Sequence, residues 1–303
     1  MTNTKSADLN NKMTEEEEEI PPNSAASTGT SAEAINISSK SFDRHLEKLQ
    51  KSIQERDAKK VYQLSLWSDV QRGVPNEFVR SALFPAIPAN KARYVQQETI
   101  FSQEGFSIKY TGRQLTQSDL DVFEGIMHLG RGVHEGNHVE FSAHGLLKLI
   151  GRDTGKSQHD WLLNVLQRLT ATSVMITREG LKVYWGSLLP EGAANLDSGR
   201  YRVELRREML QLFARGFTVI EWDQRRALGK KPLAQALHGW ICSHRPQPFP
   251  VTVKYLHSLT GSDTKELKHF RANLRAALTD IAVTQAIKAW RIDRRDKVHI
   301  ERL

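Results

Sequence analysis

One order of sequence patterns occurs twice along this chain, and few folds accommodate it. Ser118–Leu129 has helical spacing of Leu120, Phe123, Ile126, Met127 and Leu129. Val139–Phe141 predicts a short strand, Ala143–Ile150 a short helix, and Ser157–Ala171 a stronger helix with Ser157 and Asp160 as a capping pair. Ser173–Thr177 and Lys182–Leu189 are β-rich runs around Arg178-Glu179-Gly180, a hairpin signal. From Pro232 the order returns. Pro232–Ser243 predicts a helix, Phe249–Val253 a strand and Tyr255–Leu259 a short helix. Asp263–Ile281 predicts a long helix capped by Asp263 with Glu266, and Ala282–Trp290 and Lys297–Arg302 predict strands around Asp293-Arg294-Arg295-Asp296. Helix, strand, short helix, long helix and hairpin is the order of a helix-turn-helix with a β-hairpin wing. The chain is therefore expected to be α+β, with two tandem winged-helix domains at 75–198 and 199–303. A strand at Tyr201–Leu205 and a helix at Arg207–Ala214 are expected to join the copies, and Thr99–Tyr110 alternates weakly, as a strand would.

The residues before 75 differ in composition. Residues 1–40 are rich in Ser, Asn, Thr and Ala and hold three Lys against seven acids, five of them in the run Glu15–Glu19. Such a segment cannot bury enough apolar surface to offset ordering entropy, so 1–40 is expected to be a disordered acidic tail. In 41–60, Phe42, Leu46, Leu49 and Ile53 form a thin apolar stripe at helical spacing, and 41–74 is expected to be a helical linker. It contains Val61-Tyr62-Gln63-Leu64-Ser65-Leu66-Trp67, whose large apolar residues are out of place on a linker unless something covers them.

The whole chain has 43 Lys and Arg against 35 Asp and Glu, a net +8, so residues 41–303 alone carry +12. A body that basic points to a polyanionic partner, nucleic acid first among them, with a merely soluble basic protein as the bland alternative. The single Cys242 forms no intrachain disulfide, which fits a reducing cytoplasm. The N-terminus lacks the apolar run of a signal peptide, and no stretch approaches the roughly 20 apolar residues that span a bilayer, so no membrane partner is expected.

Two motifs suggest enzymes and are rejected. His134-Glu135-Gly136-Asn137-His138 matches the zinc-protease pattern H-E-x-x-H, which requires both imidazoles one turn apart on a helix. Gly130, Gly132, Gly136 and Asn137 break any helix there. Gly151-Arg152-Asp153-Thr154-Gly155-Lys156-Ser157 approaches a P-loop but has three residues between its glycines where four are needed, and it follows a helical rather than a strand pattern. It suits the turn of a helix-turn-helix, with Lys156 at a phosphate. No catalytic site, metal or cofactor is expected.

In Ser157–Ala171, Trp161, Leu162, Val165, Leu166 and Leu169 share a face, with Asp160, Asn164 and Gln167 opposite and Arg168 at the margin. In Asp263–Ile281, Leu267, Phe270, Leu274, Leu278 and Ile281 face inward, while Lys265, Lys268, His269, Ala272, Arg275 and Thr279 lie opposite. Arg and Lys suit guanine edges or phosphates, and Asn and Gln suit adenine edges. Either face alone is equally an ordinary solvated one. Two such helices in two copies of one topology favour DNA. Arg178, Lys182, Arg271, Arg294 and Arg295 complete the expected DNA contacts.

Three stretches then look familiar. Pro75-Asn76-Glu77-Phe78-Val79-Arg80-Ser81-Ala82-Leu83-Phe84, Ile108-Lys109-Tyr110-Thr111-Gly112 and Leu259-Thr260-Gly261-Ser262-Asp263 resemble the TrfA-type plasmid replication initiators, as does Ser243-His244-Arg245. The similarity runs from about Gln63 to the C-terminus. It implies a non-catalytic, bacterial, two-winged-helix protein that binds iteron repeats at a plasmid origin and helps open the duplex. Single-stranded origin DNA, the host initiator, the replicative helicase and the host sliding clamp are the further partners implied, and a homodimer is possible. Gln63-Leu64-Ser65-Leu66-Trp67 resembles the family's sliding-clamp-binding peptide, with Trp67 where Phe is usual. On that reading a flexible arm offers one Gln and two apolar anchors to a partner. Otherwise Leu64, Leu66 and Trp67 pack on the chain's own first domain. A transcriptional repressor using the same helices on an operator is the alternative function, and it needs no clamp peptide.

Overall fold

A capped strand end opens the helical turn in both halves of the molecule. A computed structural model describes residues 44, 45, 48, 52, 60–189, 192–195 and 199–303. Strand β4 (His138–Ser142) ends on Ser142, whose hydroxyl accepts the Gly145 N–H at 3.0 Å and starts α3 (Ala143–Leu149). Strand β10 (Val251–Thr252) ends on Thr252, whose hydroxyl accepts the Tyr255 N–H at 3.1 Å and starts α8 (Val253–Leu259). Both short helices close in a Schellman turn on a glycine at positive φ, Gly151 (+76°) and Gly261 (+56°). A side chain is strained there, so the P-loop-like glycine is a helix stop. The two turns share a sequence that periodicity alone does not reveal. Leu146, Leu149, Gly151, Asp153 and Thr154 repeat 110 positions later as Leu256, Leu259, Gly261, Asp263 and Thr264.

The long helices follow, as α4 (Lys156–Thr170) and α9 (Leu267–Val283). Both expected caps are corrected. Helix α4 is capped by Gly155, two residues before Ser157, and α9 by Glu266, three residues after Asp263, neither with a side-chain bond. Asp263 instead pairs with Lys91 at 2.5 Å. The second hairpin also starts later than expected. Ala282 and Val283 end α9, Gln285 turns at φ +62°, and β11 (Ile287–Ile292) pairs with β12 (Lys297–Arg302).

The halves differ in how their strands pair. In the second, β10, β12 and β11 make one sheet. In the first, hairpin β5 (Ser173–Arg178) and β6 (Leu181–Gly186) extends a sheet begun by β2 (Tyr94–Ile100) and β3 (Ser107–Arg113). The expected single strand over Thr99–Tyr110 is thus a hairpin, turned at Gly105. Strand β4 pairs with β8 (Arg200–Glu204), which also pairs with β7 (Gly192–Asn195). Strand β1 (Gln71–Pro75), ahead of α1 (Asn76–Val79), pairs with β9 (Phe217–Glu221).

The segment expected to join the copies therefore belongs to the first. Met209, Leu210, Leu212 and Phe213 of α5 (Arg207–Arg215) lie in its core, with Ile220 and Trp222. That core runs from Tyr62 to Trp222, and the second begins at Leu228. The boundary lies between those residues, not at 198/199. Between the cores stand α6 (Trp222–Ala227) and the start of α7 (Pro232–Cys242).

The chain divides into residues 1–60 and a unit spanning Val61–Leu303. In the first, Arg44, His45, Lys48 and Ser52 are helical. The tail at 1–40 and the stripe of Phe42, Leu46, Leu49 and Ile53 lie outside the described residues. Among the described residues, no helix is long and apolar enough to cross a membrane.

Candidate nucleic-acid interface

Helix α2 (Gln117–Leu129) packs on α4 and fixes it through charge. The fully buried Asp119 carboxylate accepts the Thr116 backbone N–H at 2.8 Å and the Arg168 guanidinium at 2.6 Å. Arg168 is thus the counter-ion of a buried acid, not a cation free for phosphate. Arg178 likewise reaches the buried Glu77 at 3.0 Å. Burial pushes the Glu77 carboxyl up, and Arg178 works against that shift. Arg271 makes a fork with Asp296, 2.9 Å from Nε and 2.5 Å from Nη2, and ties α9 to the hairpin turn. Charge counting could not distinguish these three arginines from the rest.

The other expected contacts are solvent-facing. On α4, Lys156, Asn164 and Gln167 are exposed beside Ser157 and Asp160. On α9, Lys268, His269, Ala272, Arg275, Ala276 and Thr279 are exposed, and Lys265 precedes the helix. His269 lies 3.4 Å from Glu266. Lys182 is exposed, with its ammonium 4.9 Å from the Trp185 ring centre. At the second hairpin turn, the Asp293 carboxylate accepts the N–H groups of Arg295 at 2.8 Å and Lys297 at 2.9 Å, and meets the His299 ring at 2.9 Å. These bonds, His299's first, hold the Asp293 carboxyl below the ordinary range. The turn is cross-bonded in this way and carries Arg294 and Arg295 exposed at its tip.

The halves are bolted together by a buried arginine. Arg225, fully buried on α6, donates to Asp121 at 2.7 Å and to the Gln117 carbonyl on α2 at 3.2 Å. It also reaches the Gln235 carbonyl on α7 at 3.4 Å and lies 3.3 Å from the buried Glu124. Burial pushes Glu124 up to about 7 even beside Arg225. The segment Pro85–Lys91 touches the second turn, with the Ala86 N–H on the Thr260 carbonyl at 2.6 Å and Pro85 against Gly261. The same segment lines a cleft of about 850 Å³ with Arg152 and Asp153 of the first turn. One stretch of chain therefore touches the second turn and shares a cleft with the first.

The expected flexible arm at Gln63–Trp67 is corrected. It is a strap on the first core. Leu64 is fully buried, Trp67 buried and Leu66 74% exposed. Backbone bonds join Leu64 to Val133 (3.0 Å) and Gly132 (2.9 Å), and the Tyr62 carbonyl to the Glu135 N–H (2.9 Å). Gln63 bridges His134 and donates its side-chain amide to the Gly132 carbonyl at 2.6 Å. The rejected zinc motif is thus the strap's bed, and its Glu135 is held by Arg207 at 2.7 Å. Trp67 stacks on Phe213 and meets Phe217 at a tilt, with ring centres 6.0 and 5.8 Å apart. A Cβ at Gly73 would come within 2.5 Å of its ring.

The Trp67 indole N–H donates to His128 Nδ1 at 3.0 Å. Burial, then the nearby charges of Arg72 and Arg131, hold His128 down at about 4. A depressed histidine value makes the folded state demand the neutral ring. Stability from this site is complete above about 6.5 and is lost as pH falls toward 4. In an NMR titration, the His128 ring is expected to stay neutral through pH 5. A midpoint near the ordinary 6.5 would contradict this burial.

The family described as TrfA protein matches residues 27–302. A curated plasmid replication initiator protein TrfA of Escherichia coli is 26% identical over 251 residues, which is 80% of this chain. Those residues cover 64% of the relative, so the chain spans a little under two thirds of its length. Among solved structures, Pi initiator protein in complex with iteron DNA is similar with a TM-score of 0.48 and 13% identity, over 77% of this chain and 96% of that one. Domains 2 and 3 of RctB give a TM-score of 0.46 and 12% identity, over 68% and 85%. The family match begins well before Gln63, where the resemblance first becomes legible by eye. Because it then continues through both cores to the last strand, this chain belongs to the TrfA protein family.

Proposed function

We propose that this protein is a non-catalytic plasmid replication initiator acting in a bacterial cytoplasm. On this reading, the two helix-turn-helix and hairpin units are tandem winged helices that bind iteron repeats at a plasmid origin. The observation that carries it is the paired turn, built in both halves on a hydroxyl-capped strand end and a Schellman glycine. Each turn launches a long helix with an exposed polar face. The family's named relative, a plasmid replication initiator, supports the same reading. Duplex opening and engagement of host replication proteins follow from it, as does clamp binding through Gln63–Trp67.

Lys268 and Arg275 flank the small Ala272 on α9, whereas α4 offers Asn164 and Gln167 beside Asp160. Base readout therefore falls mainly to α9, where one bidentate arginine–guanine pair is worth about 1–3 kcal/mol. Arg275→Ala should lower affinity for iterons and relax preference at one or two base positions, with little change on random DNA. Arg294→Ala with Arg295→Ala should weaken both kinds of DNA and flatten the log–log salt slope by about 0.9 for each phosphate no longer neutralised. Competition binding against single-base iteron variants, repeated across salt concentrations, reads both. A wild-type protein with no preference for origin repeats over random DNA would end the initiator reading.

A further inference from the structure

The strap presents its side chains in a way no single partner groove can accept. Leu64 and Trp67 point into the first core, while Leu66 stands in solvent and only grazes Gly132. A partner that takes Leu66 and Trp67 into adjacent pockets needs both on one side of the peptide. In the docked strap they are divided between solvent and core. We propose that residues 61–67 undock as a unit, and that a partner reading Gln63–Trp67 binds only the undocked strap, so fold and partner compete for the same side chains. This inference rests on the clamp reading above.

The geometry favours such opening. The strap is held by one isolated bridge, a few backbone bonds to a turn, side-chain bonds from Gln63 and Trp67 and the burial of Leu64 and Trp67, not by a strand ladder. It precedes the first laddered strand, and Ser68, Asp69 and Val70 between them are exposed. Peeling back to Ser68 leaves the β1–β9 pairing intact, together with the Asp69–Arg131 pair and the Trp222 N–H on the Val70 carbonyl. It uncovers His128, Val133, Phe213 and Phe217, so opening costs apolar burial and the docked form predominates. A partner's apparent affinity is then reduced by the open fraction.

The test uses the full chain with Tyr62→Cys and Glu135→Cys, which lie next to the bridge with their backbones joined at 2.9 Å and stand outside Gln63–Trp67. Antiparallel partners of this kind lie about 4.5–5.5 Å apart at Cα, within disulfide range. A free peptide of residues 60–69 is the comparison, and purified bacterial sliding clamp is the probe. The peptide is expected to bind at least about tenfold more tightly than the chain, as an open state of about 10% or less requires. The oxidised double variant should not bind clamp, and reduction should restore binding, while iteron gel shifts stay the same in both states. Equal clamp binding by oxidised and reduced protein would overturn the inference and leave the clamp reading standing. A peptide that fails to bind would overturn both. Should the pair not oxidise, amide exchange at Gly132 and Glu135, which donate to the strap carbonyls, reads the same opening. Clamp addition must speed exchange at both amides; unchanged exchange would overturn the inference.

Discussion

Trp67→Ala is expected to lower the thermal midpoint by about 6–20 °C, an effect out of proportion to a residue so near the edge of the folded unit. The indole is buried against Phe213 and Phe217, and Gly73 leaves the space it occupies. Removing it forfeits the transfer energy of a large ring and leaves a cavity, together about 3–5 kcal/mol. For a unit of this size, each kcal/mol moves the midpoint by about 2–4 °C. The truncation also leaves the neutral His128 without its indole donor. Leu66→Ala, one residue away and exposed, should change stability by no more than about 0.5 kcal/mol. Calorimetry on the two single variants makes the comparison. Equal small shifts would show that the strap adds nothing to the core. The contrast also fixes how clamp binding should be probed, because a double variant at 66 and 67 mixes partner binding with folding, whereas Leu66→Ala does not.

The second large effect should come from Arg225→Met. This guanidinium neutralises Asp121, sits beside Glu124 and binds main-chain carbonyls of helices α2 and α7. Although burial opposes it, Asp121 and Glu124 hold Arg225 firmly charged. Breaking a buried pair by removing one partner leaves an uncompensated charge and costs about 3–5 kcal/mol. Here the damage falls on the seam between the two cores, so we expect two separate melting transitions where the wild type has one. Glu124→Leu added to Arg225→Met should recover part of the stability, since it removes a buried carboxylate that makes no hydrogen bond. A single unchanged transition for Arg225→Met would show that the halves are joined by other contacts.

The long helices were legible because their apolar residues keep a helical period over four turns. Leu162, Val165, Leu166 and Leu169 are buried as expected, as are Phe270, Leu274, Leu278 and Ile281. Helix ends were less legible. Ser157 and Asp263 are good capping types, but α4 starts ahead of Ser157 on Gly155 and α9 starts past Asp263 on Glu266. The partners of Arg168, Arg178 and Arg271 could not be read either, because Asp119, Glu77 and Asp296 lie 49, 101 and 25 positions away. An arginine beside a predicted DNA helix has the same local sequence whether it faces solvent or a buried acid. Trp67 failed for a related reason. A short motif that fits a partner's pocket also fits the chain's own, and local sequence cannot choose between them.

The β1–β9 pairing has a consequence for how the chain is made. Gln71 to Pro75 lie opposite Glu221 to Phe217, so strands about 150 residues apart complete one ladder. Pairings of such long range slow folding, because loop closure precedes any reward. Synthesis delivers the N-terminal part first, at about 5–20 residues per second. The first core therefore waits for Glu221 to emerge before it can close. A nascent chain halted at residue 198 would leave β1 and β4 without their partners β9 and β8, two unpaired edges open to association with other chains.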